Sequence, residues 1–517
     1  MGALTLFSRL MGMIRDMAMA AVFGAGPVMD TFSLAFRLPN LARRLFGEGA
    51  QTAAFLPEFV RTQEQLGPDA ARQLASGTFA ALGWLLTLLV LVVEVVLLTI
   101  LVTVELSADS RFLLELLVLL SPYLIVICLA AQQSAVLHGL NHFDWPAAVP
   151  VVLNIVWLLA LPPVVWLVAD DRQRMMWLSG AILFAGLLQM LLPAWRLWIE
   201  GFRYSVRIGP AIAGVRSVFA AMGPILIGVT ITQFNTVFDS LLAWWLSPGM
   251  SGSHEVVSRW LPAVENGTAS ALYFGQRLYQ FPLGIIGVGI GTVLFPRLTR
   301  HAERGELRLL RRELESGLAV TLAIGLPASV GLMVLASPIQ SLLLEHGAFA
   351  ADDGRLTSRM IEGYGPAVLA FMGLLLVQRA YYAVGDRVTP MRHSLAALVV
   401  NVVLDLSLLH WMGGPGLAWA TSTAATFQCA VALWQLQRRV GRLDWSRLGI
   451  VLGRTILATA VMAIVCRLVA PPLGDAFAER LLAAGVPLVA GVVTFFLTAR
   501  LIGLRAPWLL LRHGEVE

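Results

Sequence analysis

Long apolar stretches recur along almost the whole chain, and that recurrence leaves few folds open. A helix needs about 20 predominantly apolar residues to cross a bilayer, because away from water its backbone groups must be satisfied within the segment. Hydropathy picks out fourteen candidate spans, at 3–23, 28–60, 76–104, 111–139, 145–168, 174–198, 213–246, 269–297, 311–345, 356–384, 388–412, 415–438, 446–470 and 479–503. The ninth looks divisible, leaving SPIQSLLLEHG (337–347) as a short interfacial helix. Of 517 residues, 58% are hydrophobic and only 13% charged, with a mean hydropathy of +0.77. A soluble domain is excluded on those figures. The expected class is an all-α polytopic membrane protein of about 14 transmembrane helices.

The connections carry an orientation signal. Arginine-rich ones at 61–75, 196–216, 297–312, 385–393 and 438–447, and the tail from Arg500, alternate with arginine-poor ones at 23–27, 104–110, 413–416 and 471–479. The positive-inside rule then places both termini and the arginine-rich loops in the cytoplasm. DDRQR (170–174) is the exception. All 37 basic residues are arginine. The first segment has charge through its middle and lacks a cleavage site, so it is expected to stay in the mature protein.

Several chemistries find no support. Cys128, Cys429 and Cys466 sit in apolar runs with no pairing or ligand spacing, and the 8 histidines show no metal pattern. A Walker-type phosphate loop is missing, which argues against ATP hydrolysis, and the arginine loops read as topology signals rather than nucleic-acid sites. The Asn266-Gly267-Thr268 sequon is discounted. Neither an enzyme nor an organic cofactor is expected.

Against this background the charges inside the apolar segments stand out. Arg9, Arg15, Asp16, Asp30, Arg37, Arg43 and Arg44 all fall within the first two spans, and Arg277 within the eighth. A charge at bilayer depth costs roughly 2.5–3.5 kcal/mol on insertion scales and persists facing partners or water. Arg9 and Asp16 share a helical face, with Arg15 about 120° away. The bland readings are that Arg9 and Arg44 snorkel to the interface and that Arg37 pairs with Asp30. Arg277 lies too deep for that. Arginine suits phosphate, because its planar fork donates two parallel hydrogen bonds and keeps its charge.

A weak internal repeat links the two regions. FRLPN…GEGAQTAAFLPEF (36–59) echoes GQRLYQFP…GIGTVLFPRL (275–298), with an Arg-Leu pair, an early proline and a Thr-x-x-Phe exit in each. Six helices separate them, which suggests two six-helix lobes, 1–200 and 201–440, followed by two extra helices in 441–517. A second constellation follows helical spacing. Asn235 and Asp239, Asn401 and Asp405, and Leu417 and Thr421 are each four residues apart. Such faces offer carboxylate, amide, hydroxyl and carbonyl oxygens to a hard cation such as sodium. Alternatively the aspartates pair with arginines or relay protons.

Residues 7–59, from FSRLMGMIRDMAMAAVFGAGPVMDTFSLAFRLPN to FLPEF, resemble the opening signature of the MurJ/MviN lipid II flippases. The likeness continues through YFGQRLYQFPLGIIGVGIGTVLFPRL (273–298), HGAF (346–349) and YYAVGDRVTP (381–390). It implies two six-helix bundles plus two C-terminal helices lining a lipid groove, in a bacterial cytoplasmic (inner) membrane protein. It implies as cargo lipid II, the undecaprenyl-pyrophosphate-linked disaccharide-pentapeptide, carried by alternating access. Arg9, Arg15, Asp30, Arg43, Arg44 and Arg277 match charged cavity positions of the family, and Asp16, Asn40, Glu48 and Ser270 further polar ones. Asp239, Asn401, Asp405, Thr421 and the Leu417 carbonyl match a sodium site of some members. Gln276 and Gln280 stand where the family commonly has acids, and the loop 247–268 is long enough for an extra external helix. The expected partners are lipid II, membrane lipids and cell-wall synthesis machinery, with no nucleic acid, for a monomer. The rival is a related exporter of another polyprenyl-linked saccharide; a drug exporter of the same superfamily calls for an acidic cavity instead.

Overall fold

The structure, a computed structural model, describes residues 2–42, 50–204, 211–248 and 261–508. Among them it is helical, with no strand, and the chain forms two compact units, Met1–Glu255 and Val256–Glu517.

The first unit holds α1 (Gly2–Phe23), α2 (Pro27–Ala42), α3 (Ala50–Leu66), α4 (Pro68–Thr103), α5 (Ala108–Gly139), α6 (Asp144–Leu167), α7 (Asp171–Ile199) and α8 (Ile212–Trp245). α5 packs on α4, α7 and α2; α6 joins α7 to α1; α8 lies on α2 and α3. Hydrophobic burial gives little drive inside a bilayer, so close packing through small residues must hold the helices together. Gly186 shows how close: a Cβ there would stand 2.6 Å from the Tyr123 ring. At one end Phe55 and Phe59, 5.4 Å apart, pack with Leu74, Val136, Val215 and Met222.

Local chemistry sets the helix ends. Ser107 accepts from the Ser110 amide at 3.2 Å to open α5, and Asp170 from the Gln173 amide at 2.9 Å to open α7. These are ordinary N-caps. The same segment explains the odd arginines of DDRQR. Arg172 pairs with Asp109, and Arg174 with Asp171 at 2.7 Å and the Val168 carbonyl at 2.7 Å. Those arginines are neutralised where they stand, so the segment carries no cationic excess.

The second unit holds α9 (Thr268–Pro282), a π-helical turn (Leu283–Gly287), α10 (Val288–Glu303), α11 (Leu307–Val334), α12 (Ala336–Leu343), α13 (Ala351–Ala383), α14 (Val388–Met412), α15 (Pro415–Val440), α16 (Trp445–Val469) and α17 (Phe477–Leu501). α13 is its hub, packed by α9, α10, α11, α12 and α15, with 72% of its most apolar stretch buried against 11% in α4. At Gly363 a Cβ would lie 2.8 Å from Ala418 and 3.1 Å from the Trp419 amide, so α13 and α15 meet almost backbone to backbone. The eighth span is not a plain helix. Pro282 has no amide proton to donate, and the π turn that follows absorbs the break. The ninth divides at Leu335 into α11 and α12. The last two helices pack on each other, α16 also on α11 and α17 also on α12, where Arg480 of α17 donates to the Glu345 carbonyl.

Nine helices among the described residues are long and apolar enough to cross a membrane: α4, α5, α6, α7, α11, α13, α14, α16 and α17. This is a multi-pass membrane fold. α1 stays off that tally because it holds Arg9, Arg15 and Asp16. The distribution of polarity is inverted relative to a soluble protein. Leu88, Val95, Leu159 and Trp166 are exposed, while Arg15, Asp16, Asp30, Asn401 and Asp405 are buried.

Candidate functional site: buried charge in two units

In the first unit Arg15 of α1 is set against α6. Arg15 is 5% exposed and Asp16 7%. The Arg15 guanidinium donates from Nε and Nη2 to one oxygen of Asp16, at 3.1 and 2.6 Å. Its Nη1 donates to Oδ1 of Asn154 on α6 at 3.0 Å, and its carbon lies 4.5 Å from the centre of the Trp157 ring. Ideal helical spacing puts adjacent residues about 100° apart, so pairing of Arg15 with Asp16 is not what the wheel suggests. The length of the arginine side chain closes the gap. Trp157 meets Phe32 and Phe36 of α2 edge-on at 5.7 and 5.3 Å. α2 is therefore held by the same ring that lies against the arginine.

The other positions of this unit are distributed along α1, α2 and α8. Arg9 is half-buried, as is Asn40, whose Nδ2 donates to the Phe36 carbonyl at 3.1 Å. Asp30 lies buried in the first turn of α2, where a carboxylate suits the helix dipole, and Arg37 is buried further along. Next to Asp30, Thr31 accepts from the Trp244 indole at 3.0 Å and ties α8 to α2. Asp239 is buried on α8. Arg43, Arg44 and Glu48 lie outside the described residues, as does most of the loop expected to form an external helix.

In the second unit Ser270 is fully buried on α9. Arg277, half-buried on the same helix, donates from Nη2 to the Tyr273 hydroxyl at 3.2 Å and lies 5.0 Å from the centre of that ring. Gln276 is buried and donates to the Tyr364 hydroxyl of α13 at 3.1 Å. Asn401 and Asp405 are fully buried one turn apart on α14, with Nδ2 of the first 3.4 Å from Oδ1 of the second. Oδ1 of Asn401 receives no hydrogen bond from the described residues. Leu417 and Thr421 sit on α15, which packs on α14, and Asp239 belongs to the other unit. Hard oxygens and an unfilled buried acceptor fit a cation of the sodium type.

The GDRVTP motif has a structural job outside the membrane spans. Gly385 takes a φ of 79°, which favours glycine, and turns the chain after α13. Asp386 then accepts from the Thr389 amide at 3.0 Å and hydroxyl at 2.7 Å, and lies 3.2 Å from Arg439. Burial pulls the Asp386 carboxyl upward, but those hydrogen bonds and the Arg439 charge outweigh it and the net direction is down. Two residues that the sequence alone did not single out, Asn154 and Trp157, make the contacts to Arg15. The available signal was a lone asparagine inside the apolar run VPVVLNIVW.

Comparison with known proteins supplies what the geometry does not. Residues 19–477 match the family model described as lipid II flippase MurJ. A probable lipid II flippase MurJ of Rhizobium tropici is 31% identical, over 97% of this chain and 93% of that protein. One of Vibrio cholerae is 31% identical over 83% of this chain and 80% of its own length. Among solved structures, lipid II flippase MurJ in an inward closed conformation superposes with a TM-score of 0.77 at 23% identity, covering 97% of this chain and 98% of that one. An inward-facing multidrug resistance MATE family transporter of the MOP superfamily follows the same fold with a TM-score of 0.66 at 12% identity, over 86% of this chain and 95% of its own. By the extent of the family match and the identity to its members, this chain belongs to the MurJ lipid II flippase family.

Proposed function

We propose that this chain is a lipid II flippase, moving the undecaprenyl-pyrophosphate-linked peptidoglycan precursor from the cytoplasmic to the outer leaflet of the bacterial inner membrane. Family membership supports the cargo. The observation that carries the reading is the burial of arginine, Arg15 and Arg37 above all, inside helices whose outward faces are apolar. A cation kept at that depth suits an anionic ligand, and a guanidinium fork matches pyrophosphate. In this reading Arg9, Arg15, Asp16, Asp30, Asn40, Arg43, Arg44, Glu48, Ser270 and Arg277 line the substrate cavity. The lobes 1–200 and 201–440 alternate access, and 441–517 guides the lipid tail. Transport needs no covalent step.

Asp239, Asn401, Asp405, Thr421 and the Leu417 carbonyl would hold a sodium-type ion, whose charge would bias the cycle. The open acceptor on Asn401 supports that assignment. Both termini lie in the cytoplasm, the chain works as a monomer, and cell-wall synthesis machinery is its protein partner.

Complementation tests the proposal. A bacterial host depleted of its own lipid II flippase is supplied with wild-type chain or Arg277→Ala, with membrane levels matched by immunoblot. Rescue by the wild type and not by the variant is expected. A well-inserted wild type that fails in several hosts would move the cargo to another polyprenyl-linked saccharide. Rescue by both would remove Arg277 from the site.

A further inference from the structure

The geometry assigns to Asn154 a role in positioning Arg15 for the anionic cargo. This deepens the flippase reading and rests on it. Asn154 is 5% exposed in the middle of α6, a helix that otherwise turns Ile155 and Leu159 outward. A carboxamide there is costly unless both its ends are used. Both are. Its Oδ1 accepts from Arg15 Nη1 at 3.0 Å, and its Nδ2 donates to the Ser8 carbonyl of α1 at 3.1 Å.

Those partners also fix which way the amide points. Turned over, it would set NH2 against a guanidinium and oxygen against a carbonyl, two repulsive pairs. Aspartate would lose the bond to Ser8, and an aliphatic residue would lose both. Gly12 faces the same carboxamide, with a Cβ position 3.7 Å from Nδ2, so α1 presents almost no side chain between its backbone and Asn154.

One turn further along α6, Trp157 supplies the second contact. Its ring lies 4.5 Å from the Arg15 guanidinium carbon, and its indole nitrogen is 3.2 Å from the Met19 sulfur. Asn154 thus sets the in-plane direction of the fork while Trp157 supports its face. Asp16 supplies counter-charge but sits next to Arg15 in the chain, whereas the α6 pair refers the arginine to a second helix. A bidentate grip on phosphate depends on the fork's direction, and a side chain with several rotatable bonds keeps that direction only when held. Asn154 is therefore a positioning residue, acting through Arg15.

The test is a double-mutant cycle on the full-length chain in nanodiscs. Asn154→Leu keeps the branched heavy-atom shape and removes both hydrogen bonds; Asn154→Ala serves as the second variant should the first fold poorly. Lipid II affinity is measured for wild type, the Asn154 variant, Arg15→Ala and the double variant. The Asn154 change is expected to weaken binding on the order of tenfold, as for loss of a hydrogen bond to a charged group. It is expected to add almost nothing once Arg15 is gone. An unchanged affinity, or an equal loss with and without Arg15, would overturn the assignment.

The same four proteins are compared by unfolding temperature without lipid II. This arm reads the Arg15–Asn154 coupling alone. Coupling there together with no lipid II binding by wild type would sink the cargo and leave the positioning contact intact. Additive temperatures would sink the contact itself.

Discussion

Arg15 and Arg277 carry the same charge in membrane segments, and the two units hold them differently. Arg15 is almost wholly buried, set against a carboxylate and steered by a carboxamide and an indole from another helix. Arg277 is half-buried and rests on the phenol of Tyr273, one turn earlier on its own helix. An arginine referred to a second helix moves only if the helix pair moves. The helix that carries Arg277 runs into a proline and a π turn. The contrast is one of burial and of local backbone: Arg15 is bonded across two regular helices, and Arg277 sits on a helix that is interrupted just beyond it.

The sharpest way to break that contrast is to remove the counter-charge. Asp16→Ala removes the carboxylate that accepts from Nε and Nη2 of the buried Arg15. Loss of one partner of a buried pair costs about 3–5 kcal/mol. Purified protein in detergent should show a large fall in unfolding temperature, with Asp16→Asn intermediate because the amide oxygen still accepts. A fall no larger than that of Arg277→Ala would mean that both arginines are held equally loosely.

Much of this was legible in the residues, and what was not has identifiable causes. Apolar run length gave the multi-pass helical class, since a bilayer admits little besides helix there, and nine of the described helices are long and apolar enough to cross. The eighth span breaks at Pro282, the early proline of the repeat, and the ninth divides just ahead of SPIQSLLLEHG as its sequence suggested. Partner choice was harder. A helical wheel sets Arg15 and Asp16 on different faces, but it ignores a side chain long enough to reach its neighbour. Asn154 is nearly 140 residues from Arg15 in the chain, so only the packing of α1 on α6 brings them together. Asp239 shows another limit. It shares the i,i+4 spacing of Asn401 and Asp405, and spacing within a helix does not tell which unit the helix joins; Asp239 lies in the first unit and the other two in the second.

Asp386 calibrates the comparison from the aqueous edge, where a carboxylate is anchored by a helix start rather than by a buried cation. Asp386→Ala should cost about 1 kcal/mol, the usual value of an N-terminal cap. Because the folded protein lowers this carboxyl, its contribution is fully present above the unfolded value of about 4 and fades as pH falls through the lower folded value. Unfolding temperatures of wild type and Asp386→Asn should therefore converge in that acid window and stay separated above it. A gap that ignores pH would mean the cap works without its charge.

The smallest effect should come from Tyr273→Phe. It keeps the ring beside Arg277 and deletes the hydroxyl that accepts from Arg277 at 3.2 Å, so about 0.5 kcal/mol is expected, the low end for a net hydrogen bond. Complementation should survive. Tyr273→Leu removes the ring as well, and with it a cation–π contact worth about 0.5–1 kcal/mol at a partly exposed site. If the ring is what holds Arg277, activity should drop at the leucine variant and not at the phenylalanine one. Equal loss in both would place the hold in the hydroxyl. No loss in either would show that Arg277 needs no platform on its own helix, and the contrast with Arg15 would then rest on burial alone.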